Sequence, residues 1–432
     1  MTLSGWGCLS KQRDGISMLG RGNSVLAHLD GASTAIAFGM GRSYGDQALN
    51  PDGKLYRSNH LDRYIAFDET TGVLSCESGV TLGNIQRDFW TRGWMLPVTP
   101  GTQFVTVGGA IANDVHGKNH HAAGCFGKHV LDIHLFRTDG SQLVCSPAEN
   151  TEWFDATIGG LGLTGIITRA TIQLRPVSSC WLDTDTISYN SLEEFFSLSE
   201  ESEANWEYAV SWIDCSRNGR HRGIFIRANH AAEEGHASNA GNVVIRVPFT
   251  PPVSPVNRYT LSAFKSLYFM RQVRRQGESR DHYASYYYPL DAVRDWNRLY
   301  GRRGFHQYQL VVPSKDGKTV IAALLDTIAS SGMGSFLSVL KTFGHKESPG
   351  LLSFPMPGIT LALDFPDRGA KLESLFSRLD SIVREAGGRL YLAKDARMSA
   401  EMFEAGYPNL NTFLKYRDVG LSSSLSKRLL GV

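Results

Sequence analysis

The sequence has no run approaching the ~20 apolar residues that a membrane-spanning helix requires. Its N-terminus, MTLSGWGCLSKQRDG, lacks the apolar core of a secretion signal. Cysteine is sparse and scattered. Cys8, Cys76, Cys125, Cys145, Cys180 and Cys215 include no C-x-x-C pair, which excludes a zinc ribbon and speaks for reduced thiols over a disulfide frame. No metal site is expected. Neither sign of charge is in excess: the formal net charge is +2, too small to draw nucleic acid in bulk. No internal repeat or low-complexity tract stands out. These absences leave a soluble cytoplasmic protein, or one attached to the inner face of the plasma membrane without spanning it. With 432 residues, 42% hydrophobic and 20% charged, there is room for two domains.

What is concentrated instead is a stretch from Pro100 to Val130, PGTQFVTVGGAIANDVHGKNHHAAGCFGKHV. Glycine and alanine crowd its centre, among four histidines, two lysines and two asparagines. Small residues let backbone N–H groups come close to an anionic ligand. Taken alone, such a stretch is more often a glycine-rich surface loop. A second cluster, Gly39 to Asp46 (GMGRSYGD), follows the apolar run Thr34–Phe38, and a strand running into Gly-x-Gly suits a diphosphate. A tight turn is the other reading. Its third glycine, Gly45, stands one place too far for the dinucleotide fingerprint, so no nicotinamide-type crossover is expected. A third cluster, Gly159–Gly165 (GGLGLTG), matches that fingerprint letter for letter. However, helix-like Glu152–Ile158 precedes it and the alternating run Ile166–Leu174 follows, whereas the motif needs strand first and helix after. It reads as a close backbone approach to a ligand or another strand.

Along the rest of the chain, Thr81 reads as the N-cap of a helix through Leu82, Ile85 and Phe89 that Gly93 ends. Val130–Leu135 and Gln142–Val144 flank the turn Asp139-Gly140. After Pro176 glycine thins and aromatics rise, marking a second domain. There Tyr208–Asp214 and Gly223–Ala228 read as paired strands and Asn229–Asn242 as a loop. Pro248–Pro255, with four prolines, is no central strand. Lys265–Arg280 mixes aromatic and basic residues; it is either a solvated segment or a surface for an anionic or lipid partner. Phe305–Pro313 alternates and places Gln307 and Gln309 on one strand face. Phe336–Phe343 is a strand carrying Lys341. Val320–Ser330 and Lys371–Ala386 are helices, the second closed by Gly387-Gly388. Arg389–Lys394 reads as a last strand, and Ser399–Ala405 and Ser424–Leu430 as short helices.

The segments GRSYGD, PGT, VTVGGAIA, HGKNHH, GLTGII and RATI, followed by YPLD, WNR, QYQ, FPMPG and GGRLYLAKD, carry a resemblance that covers nearly the whole chain. It resembles the FAD-binding oxidoreductases of the vanillyl-alcohol-oxidase, or PCMH-type, superfamily, and within them the decaprenylphosphoryl-β-D-ribose 2-oxidase family. The resemblance implies an α+β fold of two domains. Residues 1–177, completed by 389–432, would bind FAD, and 178–388 would form an antiparallel-sheet substrate domain over the isoalloxazine. FAD is implied against Gly39, Met40, Gly41, Arg42, Ser43 and Tyr44, against Pro100, Gly101 and Thr102, and against Thr106, Val107, Gly108, Gly109, Ala112 and Asn113. Further contacts are implied from His116, Gly117, Asn119, His120, Gly124, Ile166, Tyr391 and Lys394. Many relatives attach flavin covalently through a histidine in the first glycine loop. Arg42 stands in that place, so non-covalent FAD is expected.

The same resemblance implies oxidation of the C2 hydroxyl of a polyprenyl-phosphate-linked pentose, or a related glycosyl carrier, to a ketone. This would be the first half of an epimerisation in cell-wall or surface polysaccharide synthesis, completed by a short-chain reductase partner. Such an oxidation needs a hydride acceptor, a route for the hydroxyl proton, and positive charge where negative charge collects on reduction. Lys394, His116 and Tyr44 are the implied catalytic residues; a desolvated lysine has a lowered pKa and can act as a base. Lys118 and Lys341 suit a phosphate, and Gln307 and Gln309 suit sugar hydroxyls because they both donate and accept. Trp212, Tyr287, Leu290, Phe343, Thr360, Ala362 and Tyr391 complete the implied substrate site. Without the resemblance, Lys394 reads as a strand-end lysine paired with Asp395, and His116 as structural. Thr360-Leu361-Ala362 stands where the family carries Asn-Ile-Cys, and the tail after Tyr416 diverges and is shorter. These departures touch the sugar and the lipid more than the flavin chemistry. The alternatives are a soluble aldonolactone or sugar-alcohol oxidase of the same superfamily and a non-catalytic flavin-binding paralogue.

Overall fold

The computed structural model describes residues 2–26, 29, 33–215, 221–232 and 245–432. The loop expected over Asn229–Asn242 therefore lies mostly outside the described residues, and its first two residues belong to a strand. The architecture is α+β. Three short parallel strands, Ile16–Met18 (β1), Ala35–Phe38 (β2) and Lys54–Arg57 (β3), form a sheet in the order β1-β3-β2. The run AIAF is buried on both faces apart from Ala37, as an apolar run without alternation should be, and it delivers the chain into Gly39.

A second sheet is antiparallel. It comprises Tyr64–Asp68 (β4), Val73–Glu77 (β5), Val130–Phe136 (β6), Gln142–Cys145 (β7) and Ile166–Gln173 (β8), in the order β7-β6-β8-β5-β4. Two helices pack on it. Leu82–Phe89 (α1) starts where Thr81 Oγ1 accepts from Asn84 N at 3.3 Å, a cap of about 1 kcal/mol. Its Leu82, Ile85 and Phe89 enter one apolar cluster with Ile133 and Ile172 of the sheet. The stretch read as a glycine-rich loop contains the second helix, Val107–Ala112 (α2), capped by Thr106 Oγ1 accepting from Gly109 N at 3.1 Å. Helix Thr151–Thr157 (α3) precedes the GGLGLTG segment and β8 follows it, which is the reverse of a dinucleotide crossover. Gly159, Leu161 and Gly162 all take positive φ, so the segment is a succession of tight turns.

The largest sheet has eight antiparallel strands: Trp181–Tyr189 (β9), Tyr208–Ile213 (β10), Gly223–His230 (β11), Gly277–His282 (β12), Phe305–Pro313 (β13), Ser338–Phe343 (β14), Gly358–Pro366 (β15) and Arg389–Leu390 (β16). Their order is β12-β9-β11-β10-β14-β15-β13-β16. Alternation along the strands sorts their side chains. Tyr308, Leu310 and Val312 of β13, Leu340 of β14, and Leu361 and Leu363 of β15 join one core with helices Leu192–Glu203 (α4), Gly317–Ser330 (α6) and Ala370–Glu385 (α7). Gln307, Gln309, Lys341, Thr360 and Ala362 take the opposite parity and face a cavity. The basic-aromatic segment is mostly a helix, Arg258–Val273 (α5), followed by β12.

The expected last strand over Arg389–Lys394 is a correction. Only Arg389 and Leu390 pair with Val311 and Leu310; the chain then closes a turn with Lys394 N donating to Tyr391 O at 3.0 Å. The chain end returns to the first sheet, where Ser422 N donates to Ala35 O at 2.9 Å. Helix Leu410–Leu414 lies between the two short helices expected there.

Candidate active site

A cavity of about 1430 Å³ lies between the glycine-rich segments and the polar face of the eight-stranded sheet. Most of the residues singled out from the sequence line it. They are Gly39 to Tyr44, Pro100 to Thr102, Thr106, Gly108, Gly109, Ala112, Asn113, His116 to Lys118, Trp212, Tyr287, Leu290, Gln307, Gln309, Lys341, Thr360, Ala362, Tyr391 and Lys394. Six do not. Val107 and Ile166 are fully buried in cores, and Phe343 packs edge-on against the His116 ring, with centroids 5.0 Å apart. His120 stands behind Phe343, at 4.5 Å. Asn119 ties Pro97 O (2.9 Å) to Glu207, and Gly124 abuts Lys128.

Two features fit FAD. The first is a cradle: a Cβ on Gly39 would stand 2.6 Å from Thr106 Oγ1, so only glycine lets the first loop close on the start of α2. The amides of Val107, Gly108 and Gly109 are committed to Val80 O, Ser78 O and Thr106 Oγ1. Those of Met40 to Ser43 make no hydrogen bond among the described residues, which leaves the first loop's amides free to receive an anion. The second feature is a set of buried polar atoms without a protein partner on lining residues: Arg42 Nε, Gln47 Oε1, Ser78 Oγ and His116 Nδ1. Buried polar atoms of this kind call for a polar ligand. Arg42 is fixed by cation–π contact, its guanidinium 4.3 Å from the Trp6 ring and 4.9 Å from that of Phe104.

Lys394 and the first loop share one scaffold, because Tyr44 N donates to Ala393 O at 3.0 Å. The Lys394 ammonium stands 3.7 Å from the Tyr44 ring centroid. Asp395 is not its partner: that carboxylate pairs with Arg428 at 3.0 Å. Burial pulls Lys394 well down from the ordinary lysine value, and Asp364 resists the pull. Asp364 is an acid that the sequence reading passed over. It is fully buried on β15, directly opposite Gln307 of β13, whose Nε2 donates to Asp364 Oδ1 at 2.6 Å. Asp364 Oδ2 has no partner, and burial drives this carboxyl upward. An acid at the polar parity of an otherwise apolar strand, LALDFP, was the signal for it.

His116 is held by Gln309, whose Nε2 donates to His116 Nε2 at 3.1 Å, leaving the ring proton on Nδ1. Burial first, then Lys341, His120 and Lys394, push its pKa well below the ordinary value, so the ring is neutral. Lys341 donates to Gly117 O at 3.0 Å, and burial lowers it to about 8. Lys118 donates to Tyr286 O, with its ammonium 4.3 Å from the Tyr286 ring; burial lowers it to about 7, with Lys341 adding to the effect. Tyr287 is in the wall, but its hydroxyl is shared with His230 Nε2 at 3.1 Å. The neighbouring Tyr286 offers the unpartnered hydroxyl. Asp291, also unread in the sequence, fixes the Pro100 loop by accepting from Thr102 Oγ1 and Gln103 N, both at 2.8 Å.

The charge around the cavity is lopsided. Arg42, Arg246, Arg271, Arg275, Arg294, Lys118, Lys341 and Lys394 line it against Asp281, Asp291 and Asp295. Such a site favours anionic ligands. The described residues contain no group of three His, Cys, Asp or Glu side chains that could hold a metal ion.

Residues 31–146 match a family described as an FAD binding domain. Over 421 residues, 93% of this chain and 90% of the relative, the sequence is 36% identical to a decaprenylphosphoryl-beta-D-ribose oxidase of Mycolicibacterium smegmatis. A protein of Streptomyces coelicolor is 33% identical over 78% of this chain and 95% of its own. An L-gulonolactone oxidase of Mus musculus is 29% identical, over 32% of this chain and 31% of its own.

Proposed function

The chain belongs to the decaprenylphosphoryl-β-D-ribose oxidase family of FAD-binding, PCMH-type oxidoreductases, and from that membership we propose that it oxidises the C2 hydroxyl of a polyprenyl-phosphate-linked pentose to a ketone. It is an FAD-dependent enzyme of the α+β, two-domain class. In our reading residues 1–177 with 389–432 hold the cofactor and 178–388 hold the substrate. FAD is held without a covalent bond, since Arg42 offers no imidazole. The keto sugar then passes to a short-chain reductase partner, and the enzyme works in peripheral contact with a membrane, where its substrate resides. No helix among the described residues is long and apolar enough to cross one.

The observation that carries the reading is the position of Lys394, a buried amine with a lowered pKa on the same backbone link as the first glycine loop. Bound FAD supplies the acceptor for the carbinol hydride. The rest falls to side chains. Lys118 and Lys341 hold the substrate phosphate as point charges. Gln307 and Gln309 orient the sugar hydroxyls, and Gln309 also fixes the neutral His116 ring beside them. Lys394 Nζ, uncharged in the fraction set by its lowered pKa, accepts the C2 hydroxyl proton. Once protonated, it stands as the positive charge needed beside the cofactor as electrons arrive. Asp364 stabilises that cation from behind. Tyr44 supplies the aromatic face against which the amine is held.

The test is anaerobic bleaching of the yellow holoenzyme by a panel of prenyl-phosphate pentoses and aldonolactones. Bleaching by the prenyl-phosphate pentoses is expected. Bleaching by lactones alone would sink the lipid-linked substrate.

A further inference from the structure

Helix α5 buries a lysine and turns a row of apolar side chains outward. At 3.6 residues per turn, Tyr259, Ala263, Leu267 and Met270 fall on one stripe. That stripe faces outward: Tyr259 is 70% and Leu267 65% exposed, and Met270 is exposed as well. The lysine at the middle of the helix, Lys265, points inward. It is 1% exposed, 3.5 Å from Asp214 and 3.3 Å from Cys215 Sγ. A buried ion pair therefore fixes the rotation of the helix and holds its apolar stripe in solvent. The inner and flanking residues Phe264, Tyr268 and Arg271 line the substrate cavity, so the helix separates that cavity from the outside.

A second apolar segment lies along the same rim. Phe249 (68%) and Val253 (79%) stand out from the proline-rich strap before α5, as does Ile245. The strap is held by Arg298, which donates to Val247 O at 3.0 Å and Pro248 O at 3.1 Å, and by pairing of Ile245 with Val293, itself a cavity residue. From residue 245 to 277 there is no aspartate or glutamate. Arg271, Arg274 and Arg275 are exposed at the end of the helix. Opposing charges around this surface are Glu278, exposed on β12, Asp281 in the cavity wall, and Asp295, which pairs with Arg246 at 3.4 Å.

We propose that the outer stripe of α5 and the strap over 245–253 dock on an anionic lipid bilayer, so that the substrate phosphate and sugar enter the cavity under α5 while the prenyl chain stays in the lipid. This rests on the lipid-linked substrate proposed above. Apolar side chains seated at the headgroup boundary with arginines beside them and no acids between match an interfacial helix on anionic lipid. A second copy of this chain is the poorer occupant, because a self-complementary contact would bring the same arginines together.

The test uses full-length holoenzyme and flotation on phosphatidylcholine vesicles with and without phosphatidylglycerol. The expected result is flotation with the phosphatidylglycerol vesicles, reduced at least tenfold in the double variant Leu267→Glu, Met270→Glu and weakened in Arg274→Glu. The double variant keeps its flavin and its turnover of a short-chain, water-soluble prenyl-phosphate pentose, and loses turnover of the long-chain substrate presented in vesicles. Wild type that floats with neither vesicle, or a double variant that floats as well as wild type, overturns the proposal. A dimer in sedimentation that the double variant abolishes, without vesicle binding, gives the face to a second copy and overturns it too. Wild type that floats but is reduced only by lactones leaves this surface standing and removes the substrate.

Discussion

Asp364→Asn is the sharpest test of the proton route. The substitution is nearly isosteric. Asn keeps the oxygen that accepts from Gln307 Nε2 and places its amide where Oδ2 now has no partner, so no hydrogen bond is broken. What disappears is the negative charge that resists the lowering of Lys394, whose pKa stands at about 7. Losing a neighbouring opposite charge lowers an amine by about 1–3 units, and about one unit is the expectation for a pair that is not in direct contact. Asp364 is itself protonated at pH 6, so with Lys394 as proton acceptor the effect appears around pH 7, where the neutral fraction rises from about half to about nine-tenths and turnover rises by up to about twofold, while turnover at pH 5 and at pH 9 is unchanged. The assay is the pH profile of kcat/KM and of anaerobic flavin reduction for both proteins. Slower reduction at pH 7, or a rising limb that does not move, would refute Lys394 as the acceptor. Stability gives a second readout. A carboxyl whose folded pKa is raised to about 7 contributes stability at low pH that is lost as pH rises through that value. The Tm of wild type should therefore fall relative to the variant between about pH 4 and pH 7.

Three further outcomes are expected. Lys341→Met should raise KM for a prenyl-phosphate pentose by about 10- to 100-fold with little change in kcat, the loss of one charge-assisted contact of about 1.5–3 kcal/mol, read in steady-state kinetics. Gly39→Ala should displace Thr106 and weaken its cap on α2; flavin content falls on purification, and Tm drops by about 2 °C in a thermal melt. Acid precipitation should release all the FAD into the supernatant, because Arg42 forms no bond to it; a yellow pellet would overturn that.

Much of the site was legible because short glycine segments and alternating strands declare themselves. FHQYQLVVP put Gln307 and Gln309 on one face by parity alone, and the sheet keeps them there. GGLGLTG was separated from a dinucleotide motif by the order of its neighbours, which the structure repeats. The misses have a common cause. Asp364 and Asp291 are ordinary acids until long-range pairing buries one opposite Gln307 and sets the other against the Pro100 loop. Helix α2 is made of Val, Gly, Ala and Ile, a composition that local propensity does not favour, and its cap and its packing on the β-sheet select it. The strand over 389–394 was too long by four residues: Tyr391 N still donates to Gln309 O, and the chain then turns Lys394 towards Tyr44. No local pattern encodes that turn.

The hydrogen bond between Tyr44 and Ala393 fastens the beginning of the polypeptide to its far end, and a Cβ on Gly45 would collide with the Asp395 carbonyl at 1.6 Å. During translation the first glycine loop is thus left half-built until residues 393–395 have emerged. A product stopped short of them would be colourless, so yellowness itself reports that synthesis has passed this segment.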